Sequence, residues 1–284
     1  MKINDLYKQH KTIFSFEVFP PKPEMPISTV YKTIDEIEYL KPSFISVTYG
    51  AGGSNRSRTI EISSHIKNKT GIEALSHLTC VSSSKDDINL ILDSLEKENI
   101  ENILALRGDP PKDIQNFDFS TQEFKHASDL ISHIAKRNFC IGTSCYPETH
   151  LESLSREDDI SYLKIKVDSG VNFLISQLFF NNDIFLNFVE EVRRKGINCP
   201  ISAGIMPILN ANQIKRMTLM CGASIPKKLI RILNKYENNP DDLSKAGVHF
   251  AIEQIHALIK NEINGIHIYT MNKADTVKEI MKNL

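Results

Sequence analysis

The chain has 284 residues, 41% of them hydrophobic and 24% charged, with a formal net charge of −1. This is an ordinary globular composition with length for a large core, and its interspersed charges offer no surface suited to nucleic acid or an anionic membrane. No apolar run approaches the ~18 residues of a membrane-spanning helix, and Met1 to Thr12 is too polar for a secretory signal. Five cysteines without a CxxC pair argue against a disulfide framework or a zinc knuckle. Reduced thiols in a cytoplasmic protein are expected.

Apolar, β-rich runs recur along the chain with helical patterns between them. Ile13–Val18 is followed by Phe44–Tyr49, Glu73–Cys80 and Asn102–Leu106, at a spacing close to one βαβ unit. Phe139–Tyr146, Asn172–Phe180, Pro200–Ile205 and Gly265–Met271 complete eight. Ser84 with Asp87 and Ser155 with Asp158 are capping-box patterns that open helices, and Gly170 and Gly196 mark exits. Between the seventh and eighth strands the pattern predicts helices near Ala211–Cys221, Pro226–Tyr236 and Asp242–Glu262, the last two separated by Asn239-Pro240. Eight strands alternating with helices predict a single α/β domain, a (β/α)8 TIM barrel with extra helices between strands 7 and 8. A doubly wound open sheet is the rival, but no GxGxxG follows the first strand.

In a barrel, chemistry gathers at the C-terminal ends of the strands, and polar residues interrupt the apolar runs there. Glu17 sits among Phe16, Val18 and Phe19, where desolvation should raise its pKa and suit it to act as an acid, unless it is an exposed strand carboxylate. After Tyr49, three glycines in four positions would let backbone N–H groups approach anionic oxygens. His77 and Thr79 share a strand face, with His77 either a pocket group or a satisfied core histidine. Arg107 and Asp109 flank Gly108 and either meet a ligand or pair with each other at the rim. Gln177 interrupts a hydrophobic run and needs hydrogen-bond partners that a ligand with amide-like edges would supply. There is no serine-nucleophile elbow, HExxH, P-loop or clustered metal-ligand set. One acid, several hydrogen-bonding groups and aromatic walls suit a large, flat, heteroatom-rich molecule, and a cofactor is expected to carry the harder chemistry.

The segments SFEVFPP, SVTYGAGGS, HLTC, LALRGDPP, CYPETH, LKIKVDSG, ISQLFF, GIMP and IYTMN, in this order, resemble bacterial methylenetetrahydrofolate reductases over residues 13–275. The resemblance implies a flavoprotein barrel that reduces 5,10-methylenetetrahydrofolate to 5-methyltetrahydrofolate by a ping-pong mechanism and supplies methyl groups for methionine biosynthesis. FAD is the implied cofactor and NADH the implied co-substrate, with the choice between NADH and NADPH left open. Glu17 matches the family's general acid, and Asp109 an aspartate acting electrostatically near flavin and folate. Thr48, Tyr49, Ala51, His77, Arg107, Gly108, Ala127, Tyr146, His150, Asp159 and Lys166 match cofactor-side residues, Thr48 near the nicotinamide. Gln177 and Gln213 match folate-recognition residues.

Met217 stands where a phenylalanine often stacks on the ligand, and Lys273 where an arginine usually meets the folate carboxylates. His126 replaces a common tyrosine and Asn181 a common aspartate. These departures bear on affinity and nucleotide preference rather than on the reaction class. The resemblance further implies a homo-oligomer, and the length leaves no room for the S-adenosylmethionine-binding regulatory domain of eukaryotic members. A flavin-free folate- or pterin-handling barrel, or a non-catalytic folate-binding barrel, is the alternative.

Overall fold

A strand with apolar residues on both faces must be covered on both, and a parallel sheet achieves this by closing on itself inside a sleeve of helices. The computed structural model describes residues 1–49, 56–111 and 114–284. In chain order its elements are α1 (Ile3–Gln9), β1 (Ile13–Val18), α2 (Ser28–Ile37), β2 (Phe44–Val47), α3 (Arg56–His65), β3 (Glu73–Thr79) and α4 (Lys85–Lys97). Then come β4 (Asn102–Leu106), α5 (Ala127–Ile134), β5 (Cys140–Cys145), α6 (Arg156–Asp168), β6 (Phe173–Ser176), α7 (Asn182–Arg194) and β7 (Ile201–Ile205). The chain ends with α8 (Ala211–Cys221), α9 (Lys227–Lys235), α10 (Pro240–Lys260), β8 (Gly265–Tyr269) and α11 (Ala274–Lys282). The strands are parallel and form a closed barrel in sequential order, β8 returning to β1.

The local signals act as their chemistry requires. Ser84 accepts from the backbone N–H of Asp87 while the Asp87 side chain reaches back to Ser84, so the first turn of α4 is capped reciprocally. Asn239-Pro240 marks the break between α9 and α10, as the sequence pattern suggests, and α10 starts two residues earlier than Asp242. Asn239 caps α10 by accepting from Asp242, and Pro240 occupies the first turn, where its missing N–H costs nothing. The sixth apolar run stops being strand at Ser176, four residues short of the predicted end. The Gln177 side chain accepts from the N–H of Leu178, and Leu178 and Phe180 leave the sheet for a separate cluster with Met206, Ile214, Leu229 and Phe250. Sequence patterning did not register α1 or α11. The latter packs on α2 and α10 and completes the sleeve.

Inside the barrel the two ends differ. At the N-terminal end Ile13, Phe44, Leu75, Leu104, Cys140 and Phe173 fill the interior, and α1 closes it with Ile3, Leu6 and Tyr7. Gly142 leaves the room that the Phe173 ring takes, since a Cβ there would lie 2.5 Å from that ring. Toward the C-terminal end the inward residues become Ser15, Ser46, His77 and His267, and at that edge the site is built.

Candidate active site

Two groups of residues meet at the C-terminal mouth. The first lines a cavity of about 730 Å³. Tyr49 bounds it after β2, and Thr79 and Val81 after β3. Arg107, Gly108 and Asp109 bound it after β4, and Tyr146, His150, Asp159 and Lys166 after β5 and along α6. Ala127 and Ser128, in the first turn of α5, complete the wall beside His126.

Each side chain in that wall has a physical reason to be placed. Arg107 does not pair with Asp109. Its two terminal nitrogens each donate to Glu152, at 2.7 Å, and its guanidinium lies 4.0 Å from the centre of the Phe119 ring. Gly108 has φ +88°, and a Cβ there would come within 2.7 Å of Val81 and 2.9 Å of Thr79. Only glycine lets the chain press against β3 and leave the cavity open. Asp109 is exposed at the rim. Lys166 donates to the carbonyl of Ser144 at 2.7 Å, and burial lowers its pKa while neighbouring Cys145 and Asp159 oppose the fall. Asp159 is buried and accepts from Ser153 at 3.2 Å. Tyr146 and His150 meet edge to face at 4.6 Å, and burial raises the Tyr146 hydroxyl.

The second group surrounds Glu17, which is not part of the cavity wall. Three side chains approach one oxygen of its carboxylate. His77 Nε2 lies 3.5 Å from Glu17 Oε2, His267 Nε2 3.6 Å from it, and Ser46 Oγ donates to it at 3.5 Å. Burial pushes the Glu17 carboxyl up, but the His267 hydrogen bond, the two imidazoles and Ser46 together hold it below its usual value. The sequence expectation of a raised pKa is therefore corrected: the Glu17 carboxyl is held below its usual value, because its polar partners outweigh burial. Its hydrophobic flanks, Phe16 and Val18, point outward into the core. Burial drives the His77 imidazole down to about 4, so it stands neutral beside Glu17. β3 links the two groups, with His77 on the carboxylate and Thr79, two residues on, at the cavity.

The predicted folate-side residues lie outside the cavity wall. Gln177 is half-buried, and its Oε1 accepts from the Leu178 N–H at 2.8 Å, which engages the amide oxygen within the turn. Gln213 and Met217 are on α8, Met217 packed against the cluster around Leu178 and Met206. Lys273 is exposed before α11. Thr48 continues the sheet by donating its N–H to Val18 and is half-buried. Asn181 caps α7. Ala51 and the glycine turn lie outside the described residues. Sequence reasoning missed Ser46, His267 and Glu152. The signal for His267 was present, a histidine between two isoleucines in a strand run, as His77 is a strand histidine that drew attention through Thr79 on its face. Among the described residues no three His, Cys, Asp or Glu side chains are placed to hold a metal ion, and no helix is long and apolar enough to cross a membrane.

Closed barrel, half-buried carboxylate and large polar–aromatic cavity at one mouth define a (β/α)8 barrel of the ligand-binding, active-site-bearing kind. The chain belongs to the methylenetetrahydrofolate reductase family, whose model matches residues 2–284. It is 34% identical over 262 residues to the 5,10-methylenetetrahydrofolate reductase of Escherichia coli, covering 92% of this chain and 86% of that one. It is 37% identical over 295 residues to methylenetetrahydrofolate reductase (NADH) 1 of Arabidopsis thaliana, covering 100% of this chain and 50% of the plant protein. The chain thus spans about half the length of the plant relatives it matches. A solved structure of an uncharacterized Clostridium thermocellum protein, described as binding two copies of 5-methyl-5,6,7,8-tetrahydrofolic acid, superposes with a TM-score of 0.69. It covers 98% of this chain and 97% of its own at 15% identity, a likeness of fold.

Proposed function

We propose that this barrel is the catalytic unit of a methylenetetrahydrofolate reductase, reducing 5,10-methylenetetrahydrofolate to 5-methyltetrahydrofolate with NADH, or NADPH, through FAD in a ping-pong cycle. The observation that carries the reading is the seating of Glu17 among Ser46, His77 and His267 at the barrel mouth, joined through β3 to a cavity that suits a flavin dinucleotide. That suitability rests on the wall itself. Two cations, Arg107 and Lys166, and the first-turn N–H groups of α5 favour a pyrophosphate, and Tyr49 and Tyr146 offer ring faces.

FAD, when bound, supplies the relay of hydride between nucleotide and folate. The remaining work falls to side chains. Arg107, Gly108, His150 and Lys166 hold the cofactor, Ala127 and Asp159 complete its wall, and Thr48 lies beside the nicotinamide. Asp109 places negative charge at the rim, where it favours a cationic folate species. Gln177 offers its NH2 to acceptor edges of the pterin. Gln213 and Met217 flank the substrate from α8, and Lys273 meets the anionic tail. Glu17 gives a proton to the amine nitrogen released when the five-membered ring opens. A planar ligand over the mouth removes its remaining solvent and pushes the carboxyl up toward that role. In the cell we assign the product to methionine biosynthesis, in the cytoplasm, by a homo-oligomer.

The test is spectroscopic. The purified protein is expected to be yellow, to bleach on anaerobic addition of NADH, and to recover its colour on addition of methylenetetrahydrofolate. A colourless protein that cannot be reconstituted with FAD defeats the reading.

A further inference from the structure

His267 lies on β8, fully buried, its ring stacked on Phe44 with centroids 5.9 Å apart and edge-on to Tyr269. Its two nitrogens face different partners. Nδ1 is 2.8 Å from Ser15 Oγ, and Ser15 Oγ in turn reaches the carbonyl of Ile266 at 3.3 Å. Nε2 is 3.4 Å from Ser46 Oγ and 3.6 Å from Glu17 Oε2. Ser15 can accept from Nδ1–H while giving its own hydrogen to Ile266, and the carboxylate can accept from Nε2–H. A ring with an acceptor at each nitrogen can carry a second proton inside the barrel. His77 has no such arrangement, because its Nε2 is buried without a hydrogen-bond partner among the described residues.

We propose that His267 is a positioning residue that holds the proton for Glu17, so that the Glu17–His267 pair acts as the acid rather than Glu17 alone. This rests on the reading of Glu17 as proton donor. In the transfer, the His267 Nε2–H bond breaks, its electron pair stays on nitrogen, and the proton joins Glu17 Oε2. The Glu17 O–H bond then breaks as the folate amine nitrogen takes the proton, leaving a carboxylate beside a neutral imidazole. One proton moves and nothing is oxidised. The titratable groups facing His267 are Glu17 from β1, His77 from β3 and Tyr269 on β8, with Ser15, Ser46 and Gly204 supplying no charge. Below the ring the interior is filled by Ile13, Phe44 and Phe173, so the proton returns through the mouth.

Two measurements decide it. In ligand-free protein with 15N-labelled histidine, NMR at neutral pH is expected to show a doubly protonated ring that is absent from His267→Gln and turns neutral in Glu17→Gln. A neutral His267 ring in the unsubstituted protein, or a signal indifferent to Glu17→Gln, overturns the proposal without reference to activity. In stopped flow, His267→Gln keeps a donor at the Nε2 position but carries no ionisable proton. Its folate half-reaction is expected to slow about 10²-fold with a displaced acid limb, while flavin reduction by NADH stays within about twofold. A Gln variant with the original folate rate and pH profile, or with both half-reactions equally impaired, overturns the proposal. If the unsubstituted protein fails to reduce the folate, the proposed function fails instead, and the NMR still locates the proton. Should His267→Gln not fold, Ser15→Ala removes the Nδ1 acceptor alone, and a profile displaced in the same direction supports the pair while an unmoved one overturns it.

Discussion

The two ends of this barrel are made from the same strands and do opposite things. At the N-terminal end Phe44, Leu104 and Phe173 pack under α1 in a largely apolar plug. Two residues further along the same strands, Ser46 and Leu106 stand at the polar end, with His77 and His267 alongside. Because side chains alternate across a strand, β1, β2 and β3 each deliver a sealing residue (Ile13, Phe44, Leu75) and a polar one (Ser15, Ser46, His77) to the same interior, one pleat apart. Stability and chemistry are thus separated by about 7 Å of strand rather than by domain. Substitutions at the two ends should therefore separate cleanly in what they damage.

The largest effect is expected at the polar end. Glu17→Gln keeps the shape and the contacts to Ser46 and His267 but cannot ionise. The folate half-reaction should fall by about 10²–10⁴-fold while NADH still bleaches the flavin, as read by anaerobic stopped flow. Loss of both half-reactions would assign Glu17 a structural role and blur the division between the ends. At the sealed end, Phe173→Ala should do the reverse. The ring is fully buried against Phe44, at 6.2 Å between centroids, and Tyr7, at 5.8 Å. Its removal should cost about 3–5 kcal/mol in urea unfolding and leave the half-reaction rates of the folded fraction unchanged.

Gly108→Ala probes the boundary, where fold and cavity share an atom's worth of space. The positive φ and the 2.7 Å approach to Val81 make a methyl group there strained. A loss of about 1–3 kcal/mol is expected, with weakened flavin retention as the β4 end shifts, measured by thermal melting with and without added FAD. Equal melting with unchanged flavin release would show that the β4 end can relax away from β3.

How much of this was legible beforehand follows the same division. Strand positions came through because apolar runs bounded by turn residues leave few alternatives, and β1 and β4 begin and end where the pattern put them. β6 overran in the sequence because Leu178, Phe179 and Phe180 are as apolar as a strand. Only the turn made by the Gln177 side chain shows that two of them serve another cluster. The segments singled out by the family resemblance supply Arg107, Gly108, Tyr146, His150, Asp159 and Lys166, which the structure places around one cavity. The electrostatics of Glu17 were not legible. Its neighbours in sequence are hydrophobic, whereas its neighbours in space, Ser46, His77 and His267, come from three other strands. Arg107 was open between a ligand and Asp109, and its partner proved to be Glu152, 45 residues away.

That last pair gives the smallest expected effect. Glu152 is held below the usual carboxylate range, first by its hydrogen bonds from Arg107, with burial opposing and the Arg107 charge assisting. A group whose folded pKa is depressed stabilises above its unfolded value and loses that contribution as pH falls through the folded one. The Glu152 side chain is 57% exposed, so solvent screens the pair and Glu152→Gln should cost less than about 1 kcal/mol at neutral pH. The difference from the unsubstituted protein should close as pH drops through the carboxylate range. If Arg107 serves the cofactor, the loss of one of its two Glu152 acceptors, which frees one terminal nitrogen, should also tighten FAD binding in a fluorescence titration. Weaker FAD binding in that variant would instead make the Glu152–Arg107 clasp part of the cavity wall, held in place through the stacking of Arg107 on Phe119.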